Sequence, residues 1–346
     1  MSDNNKLNIS SLCFDMVIDN IAIEGEDKYL FTGSNTKTNN ADLIQNLSKE
    51  TICEFLEYDE TKVFVVKNQI GQYDLVAHNT MSNETVRVTG IGHHFVAFIN
   101  IVKDATKKRR ELSKNPDAQI LSHDLIKRAN EELLLNRYGE VGIGEYRALD
   151  YYGRPVEVCL GEYDENGDKK PIKCITLETS ANGNIEKKMD ELIAWANEAF
   201  KSKDNTIENV AEFHARFIKI HPFRDGNGRV CRLLTNYLLL VNGHHMINIP
   251  LEKKANYNLC LDYANATTEE LFREEKESFK EFDDKMIEIQ GKRTDENKYL
   301  PLAGLFKQCL MKGNSRAIIN RIINYNSGNN ATQDKFHADQ ISPLGE

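Results

Sequence analysis

The stretch HPFRDGNGRVCR, residues 221–232, lies between two segments that both show the apolar spacing of helices. Before it, apolar side chains recur at helical spacing over residues 207–220, which predicts an amphipathic helix. After it, RVCRLLTNYLLLVNG is strongly apolar and ends in Asn242-Gly243, a favourable helix stop. The sequence therefore predicts a glycine turn between two helices, the second of them central and buried.

The turn itself has the composition of an anion-binding site. Gly226, Asn227 and Gly228 precede a helix, and the free N–H groups of a helix start attract anions. Glycine also lets a ligand approach the main chain closely. Arg229 and Arg232 are three residues apart, so both lie on one helix face, where two guanidinium groups can hold two phosphates.

Two further residues of the stretch could perform chemistry on a bound phosphate. His221 can accept a proton at neutral pH, and Asp225 is a hard oxygen ligand suited to Mg²⁺. Together these groups suit attack by a hydroxyl on a nucleotide phosphate. Phe223, between them, is expected to point into the core. The alternative is that Asp-Gly-Asn-Gly is only a tight turn between helices.

Length and composition set broad limits on the chain. It has 346 residues, 40% hydrophobic and 28% charged, which is typical of a globular protein of one to three domains. The formal net charge of −9 disfavours direct nucleic-acid binding. With no apolar run long enough for a membrane span and no secretory signal pattern, we expect a cytoplasmic protein or one delivered to a host cell. Seven dispersed cysteines fit reduced thiols.

The remaining sequence is expected to be mainly α-helical with limited β-structure. TKVFVV and YDLVAH predict two strands joined by a turn at NQIGQ, within an N-terminal region of residues 1–90. Ser122 is a candidate N-cap for a helix over SHDLIKRANEELLLN. Aromatic and β-branched runs on either side of DENGD predict a β-hairpin, and IEKKMDELIAW predicts an amphipathic helix.

The opening stretch fits the pattern HxFx(D/E)GNGRxxR at every specified position, and in this it resembles Fic-domain proteins. The segment AEFHARFIKI resembles the helix that leads into this motif in the family. The order of GEYR, a hairpin and IEKKMDELIAW resembles the family region that carries a target-docking flap. The resemblance covers roughly residues 91 to 285. It implies a helical bundle with a β-hairpin flap, and transfer of AMP from ATP to a Ser, Thr or Tyr hydroxyl of a target protein.

The resemblance also implies roles for individual residues. Main-chain groups of the flap, at about residues 146–180, would align the target chain as an added strand. Residues 286–346 would form a helical extension with a disordered tail, and the assembly state is left open. The implied residues are His221 as general base; Asp225 as Mg²⁺ ligand; Gly226, Asn227 and Gly228 as anion hole; Arg229 and Arg232 as phosphate ligands; Tyr257 and Asn265 as adenosine contacts; and Ile175, Thr176 and Leu177 in the flap.

A second short stretch, NIAIEG at residues 20–25, has two interpretations. By itself, Glu24 followed by Gly25 is typical of a helix end, here of a helix at about residues 12–25. In the context of the resemblance, it is similar to the family's inhibitory motif (S/T)xxxE(G/N), with Asn20 in place of Ser or Thr. The resemblance then implies that Glu24 pairs with Arg232 and competes with a phosphate for that guanidinium.

Other functions stay open at this point. A Fic-type protein could remove AMP, or transfer another phosphate-containing group, with the same residues. The chain could instead be a regulatory module that senses a nucleotide without catalysis. His214 lies in the apolar face of the helix before the motif, where a hydrogen-bonded core histidine is favoured over a second catalytic one.

Overall fold

A computed structural model gives the architecture of the protein. It describes residues 92–134, 142–150, 152–156, 183–265 and 277–311, together with residue 81 and seven strands. The helices are α1 (Gly92–Leu112), α2 (His123–Leu134), α3 (Asn184–Ala199), α4 (Thr206–Ile220), α5 (Asn227–Val241), α6 (Lys254–Asn265), α7 (Glu277–Gln290) and α8 (Leu300–Gln308). The strands are β1 (Phe31–Asn35), β2 (Gln45–Leu47), β3 (Thr61–Lys67), β4 (Tyr73–Asn79), β5 (Glu84–Val88), β6 (Gly161–Tyr163) and β7 (Lys169–Pro171).

The fold is mainly helical, as predicted, and α5 is its centre. All fifteen residues of α5 are buried, because helices α1, α2 and α4 pack around it. A helix that is buried on every side needs apolar residues on every side, which explains the high apolar content of RLLTNYLLLV. Its buried polar residues are hydrogen-bonded, with Thr235 donating to the carbonyl of Cys231 and Asn236 to that of Ile247. The helix ends at Val241, and Gly243 follows with a φ of 85°, so the stop predicted at Asn242-Gly243 is confirmed.

The beginning of α2 is fixed by a side-chain cap. The hydroxyl of Ser122 accepts a hydrogen bond from the main-chain N–H of Leu125 at 3.3 Å. This is the contact expected of an N-cap serine, which satisfies one of the unpaired N–H groups of a helix start. The prediction of Ser122 as the cap is therefore confirmed.

The N-terminal strands form one five-stranded antiparallel sheet in the order β2-β1-β5-β4-β3. Strands β3 and β4 are the two that the sequence predicts, and they pair along their full length from Thr61↔Asn79 to Lys67↔Tyr73. Helix α1 follows β5 and lies against β3 and β4. The β-structure of the N-terminal region is thus more extensive than the two strands predicted.

The predicted hairpin around DENGD agrees with an antiparallel pair, in which β6 and β7 align Gly161 with Pro171. The target-docking residues Ile175, Thr176 and Leu177 lie outside the described residues, and so does the NIAIEG stretch with Glu24. The flap and the domain boundaries stay predictions. Of the described helices, none is both long and apolar enough to cross a membrane.

Candidate active site

His221 lies directly at the end of α4, and its backbone conformation ends that helix. Its φ of 52° is left-handed, which is uncommon for a residue other than glycine. Its N–H still donates to the carbonyl of Phe217 at 2.9 Å, so the turn is closed as the chain leaves the helix. The imidazole Nδ1 lies 3.3 Å from the carbonyl oxygen of Ile218. Because a carbonyl can only accept, this contact favours the tautomer with its proton on Nδ1, in which Nε2 is the basic nitrogen.

The conformation of His221 is supported by Arg147, which the sequence analysis does not single out. Its Nε donates to the carbonyl of His221 at 2.7 Å, and another guanidinium nitrogen donates to the carbonyl of Ile220 at 3.0 Å. The side chain is almost fully enclosed, with 2% of the residue exposed. Arg147 therefore satisfies carbonyl groups that the end of a helix leaves without intrahelical partners.

The turn after His221 is held from outside by Asn130 on α2. The amide of Asn130 donates to the carbonyl of Asp225 at 3.0 Å, and its oxygen accepts the N–H of Gly144 at 2.9 Å. Gly226 follows with a φ of 78°, and a Cβ atom there would lie 3.2 Å from the Asn130 nitrogen. The position therefore requires glycine both for its backbone conformation and for space.

Asn227 closes the turn from inside. Its amide nitrogen donates to the carbonyl of Phe223 at 2.8 Å, and its amide oxygen accepts the N–H of Phe223 at 2.8 Å. The ring of Phe223 is buried, as expected, and packs 5.4 Å from the ring of Tyr146. The side chain of Asn227 thus shapes the loop, and only its main-chain N–H is left for the predicted anion hole.

Helix α5 begins immediately after Gly226, which has no side chain to cap the helix. The N–H groups of the first turn, including those of Asn227 and Gly228, therefore form the anion-binding end of the helix. Such an end, beside a histidine whose basic nitrogen is Nε2, is chemically suited to bind a phosphate group and accept a proton near it.

Asp225 and Arg229 interact across the start of α5. One carboxylate oxygen of Asp225 accepts the N–H of Gly226 at 2.7 Å, and the other accepts from the Arg229 guanidinium at 3.2 Å. Arg229 is buried, with 1% of the residue exposed, whereas the carboxylate of Asp225 is partly exposed. A carboxylate has about four lone-pair sites, so Asp225 retains capacity for a hard cation such as Mg²⁺. The described residues contain no cluster of three or more His, Cys, Asp or Glu side chains that could hold a metal by themselves.

Arg232, one turn further along α5, lies against a buried polar network. Its guanidinium carbon is 6.0 Å from the centre of the Tyr257 ring, and 6% of the residue is exposed. The Tyr257 hydroxyl lies 2.7 Å from Nε2 of His214, whose Nδ1 lies 2.7 Å from the hydroxyl of Thr235. Burial, with the positive charge of Arg232 adding to it, lowers the pKa of His214 to about 3. His214 is therefore a neutral, hydrogen-bonded core histidine, and the preference for that interpretation is confirmed.

Asn265, the other candidate adenosine contact, lies at the end of α6. Its side-chain amide nitrogen donates to the carbonyl of Ala215 at 2.8 Å, and its main-chain carbonyl accepts from the Lys219 ammonium at 3.1 Å. These two bonds fix the end of α6 against α4. Contacts of Tyr257 and Asn265 with a nucleoside stay predictions, and both side chains already help to hold the helices around the motif together.

The fold and this site define a helical domain in which a histidine at one helix end is followed, across a short turn, by the anion-binding start of the next helix. Residues 120–239 match the model of the Fic/DOC family. The similarity to Fic domains thus extends over the segment that holds α2, α3, α4 and α5 up to its last two residues.

Curated proteins and solved structures show further similarities. "Protein adenylyltransferase fic-1" of Caenorhabditis elegans is 32% identical over 81 residues, which are 23% of this chain and 16% of that protein. "Protein adenylyltransferase Fic" of Drosophila willistoni is 35% identical over 83 residues, 24% of this chain and 17% of that protein. The aligned residues thus span about one sixth of the length of these two relatives.

Two solved structures cover more of the chain at lower identity. A Fic domain containing signaling protein from Bacteroides thetaiotaomicron is 24% identical, covers 68% of this chain and 72% of its own, and has a TM-score of 0.44. Fic-1 from Caenorhabditis elegans is 18% identical, covers 94% of this chain and 66% of its own, and has a TM-score of 0.45.

Proposed function

We propose that the protein is an adenylyltransferase that moves AMP from ATP to a hydroxyl group of a target protein. The observation that carries this proposal is the position of His221 at the end of α4, one short turn before the uncapped start of α5, where Gly226 has a left-handed backbone. Relatives that are 32% and 35% identical over 81 and 83 residues are named protein adenylyltransferases and support the same activity. Arg229 and Arg232 lie on the same helix and could hold the phosphates that leave.

The reaction that fits these groups is a displacement at the α-phosphorus of ATP. The target's hydroxyl oxygen forms a new bond to the α-phosphorus, and the bond from that phosphorus to the oxygen bridging to the β-phosphate breaks. Nε2 of His221 takes the hydroxyl proton, and pyrophosphate leaves. The N–H groups at the start of α5 stabilise the negative charge that grows on the phosphate oxygens.

Asp225 is the residue that would hold Mg²⁺ together with phosphate oxygens. Its partly exposed carboxylate fits such a role, since Mg²⁺ in nucleotide sites is often bound by one carboxylate plus the substrate. Bound there, Mg²⁺ would neutralise charge on the phosphates. Arg229, which donates to the same carboxylate, orients it.

The target would be recognised through its main chain, along the flap residues Ile175, Thr176 and Leu177. Glu24 would restrain the enzyme by pairing with Arg232, so that ATP is held with its γ-phosphate in an unproductive position. We place the protein in the cytoplasm or, as an effector, in a host cell.

The decisive experiment uses ATP labelled at its α-phosphate, Mg²⁺, and the wild-type protein beside Glu24→Gly, His221→Ala and His245→Ala. We expect Glu24→Gly to label itself and lysate proteins more strongly than wild type. His221→Ala should give no label, while His245→Ala, at an exposed histidine outside the motif, should match wild type. If Glu24→Gly labels no more than His221→Ala, the proposed function is wrong.

Two other results would redirect the proposal. Release of AMP from a target that already carries it, lost in Glu24→Gly, would identify an enzyme that removes the group. Tight binding of ATP without covalent label on any protein would identify a nucleotide sensor. Mass spectrometry of the labelled residue distinguishes Ser, Thr and Tyr as acceptors.

A further inference from the structure

Arg147 is a buried cation outside the catalytic motif, and its guanidinium donates to main-chain carbonyl groups of the described residues. The guanidinium donates to His221, Ile220 and Val156 at 2.7, 3.0 and 3.3 Å. Burying a charge is costly unless its hydrogen-bonding capacity is used, and these carbonyl groups use it. Two of them lie at the end of α4, where the negative end of the helix dipole favours a cation.

The same residue joins that helix end to a neighbouring segment of chain. The N–H of Arg147 donates to the carbonyl of Pro222 at 2.7 Å, and the N–H of Val156 donates to Ala148 at 2.8 Å. Main chain and side chain of Arg147 therefore hold three consecutive carbonyls, those of residues 220, 221 and 222. Val156, which pairs with Ala148, is thereby joined to the histidine through one guanidinium.

His221 needs such support because its backbone is strained. A left-handed conformation is unfavourable for a residue other than glycine, so it persists only where surrounding contacts hold it. A rotation of its φ and ψ would swing the imidazole away and break the contact between Nδ1 and Ile218. The contact that favours Nε2 as the base thus depends on the same helix end that Arg147 holds.

We propose that Arg147 is the positioning residue for His221: it fixes the left-handed backbone that sets the direction and tautomer of the imidazole. This inference deepens the proposed function and rests on it for its kinetic consequence. Lysine should not replace Arg147, because one ammonium group cannot donate in the fork geometry that reaches several carbonyls at once.

The test compares Arg147→Lys and Arg147→Met with Arg154→Met. Arg154 lies in the neighbouring loop, but 71% of its side chain is exposed, and its described side-chain contacts are with the Asp150 carboxylate and the Tyr152 ring. For each variant, three quantities are measured: the melting temperature, the Kd for ATP, and the single-turnover labelling rate. Nitrogen NMR of the His221 imidazole gives its tautomer without any need for activity.

For both Arg147 variants we expect a labelling rate lower by about 100-fold, the cost of a small misplacement of a catalytic group, with the Kd for ATP changed less than about two-fold. The imidazole should change from mainly Nδ1-protonated to a mixture of tautomers. Arg154→Met should keep the wild-type rate and tautomer. If neither wild type nor Glu24→Gly labels at all, the proposed function fails, while the NMR comparison still decides the role of Arg147.

Three results would overturn the inference. The first is an unchanged tautomer of His221 in both Arg147 variants. The second is a rise in the Kd for ATP as large as the fall in the labelling rate. The third is a fall in the labelling rate that is fully explained by a smaller fraction of folded protein. If neither variant folds, Arg147 is a stability residue and the positioning role is wrong.

Discussion

The hydroxyl of Tyr257 donates a hydrogen bond to Nε2 of His214, and the two atoms are 2.7 Å apart in a buried site. The direction follows from the rest of the network. Thr235 uses its hydroxyl proton on the carbonyl of Cys231 at 2.8 Å, so its oxygen accepts the proton on Nδ1 of His214. Nε2 is then the unprotonated nitrogen and must accept from Tyr257.

Because His214 is buried in this network, the free energy of unfolding should depend on pH, and one substitution should reduce that dependence. The pKa of His214 is lowered from 6.5 to about 3, so between these values the unfolded chain binds a proton that the folded chain excludes. Stability therefore falls as the pH falls through this window, by up to about 1.4 kcal/mol per pH unit. His214→Gln keeps a donor and an acceptor but cannot titrate, so urea unfolding should give a shallower pH dependence.

The control for this experiment is His245→Gln, since His245 is exposed. It should keep the wild-type pH dependence of the free energy of unfolding. Equal slopes for wild type and His214→Gln would mean that another group dominates the acid response.

Tyr257→Phe tests the other end of the same bond. The substitution keeps the ring beside Arg232 but leaves Nε2 of His214 buried without its donor. The expected cost is about 1–3 kcal/mol of the free energy of unfolding, measured by urea denaturation at neutral pH. Tyr152→Phe, at a tyrosine that is 76% exposed, should change it by less than about 0.5 kcal/mol. Equal effects of the two variants would mean that the bond between Tyr257 and His214 contributes little to stability.

The sequence is informative about the motif because its signals are local. The apolar spacing on both sides of residues 221–232 predicts α4 and α5, and the Asn242-Gly243 stop and the Ser122 cap are single-residue signals with a direct physical cause. Each of these features depends on residues within a few positions of one another. The structure accordingly bears them out.

Features that depend on distant pairing leave no such signal. Strand β1 pairs with β5, more than fifty residues further along the chain, and its sequence FTGSN has no alternating apolar pattern. Arg147 contacts the carbonyl of His221 across 74 residues, and any residue type provides a carbonyl. The stretch GEYR places Arg147 next to an aromatic residue, which is compatible with a buried arginine. Nothing in the sequence identifies the carbonyl groups to which Arg147 donates.

Gly226 and Gly183 both have a backbone conformation that favours glycine, but only Gly226 also lacks space for a side chain. Both have left-handed backbones, with φ of 78° and 69°, so an alanine at either position should cost about 1–2 kcal/mol. At Gly183 a Cβ meets no described heavy atom within 4 Å, whereas at Gly226 it lies 3.2 Å from Asn130. Gly226→Ala should therefore cost at least about 1 kcal/mol more than Gly183→Ala in urea unfolding. Equal costs would show that Asn130 can move away freely.

Asn227→Ala should damage both the stability of the protein and its affinity for nucleotide. The variant leaves the buried N–H and carbonyl of Phe223 without the amide that binds both at 2.8 Å, at a cost of about 2–4 kcal/mol. The loop before α5 then loses its shape, so ATP binding measured by calorimetry should weaken even where the protein remains folded. Asn242→Ala is the matched control, because it removes one bond, to Leu238 at 2.8 Å, from the opposite end of the same helix. It should cost about 1 kcal/mol and leave the Kd for ATP unchanged; a similar loss of affinity in both variants would mean that helix stability, and not the shape of the turn, controls binding.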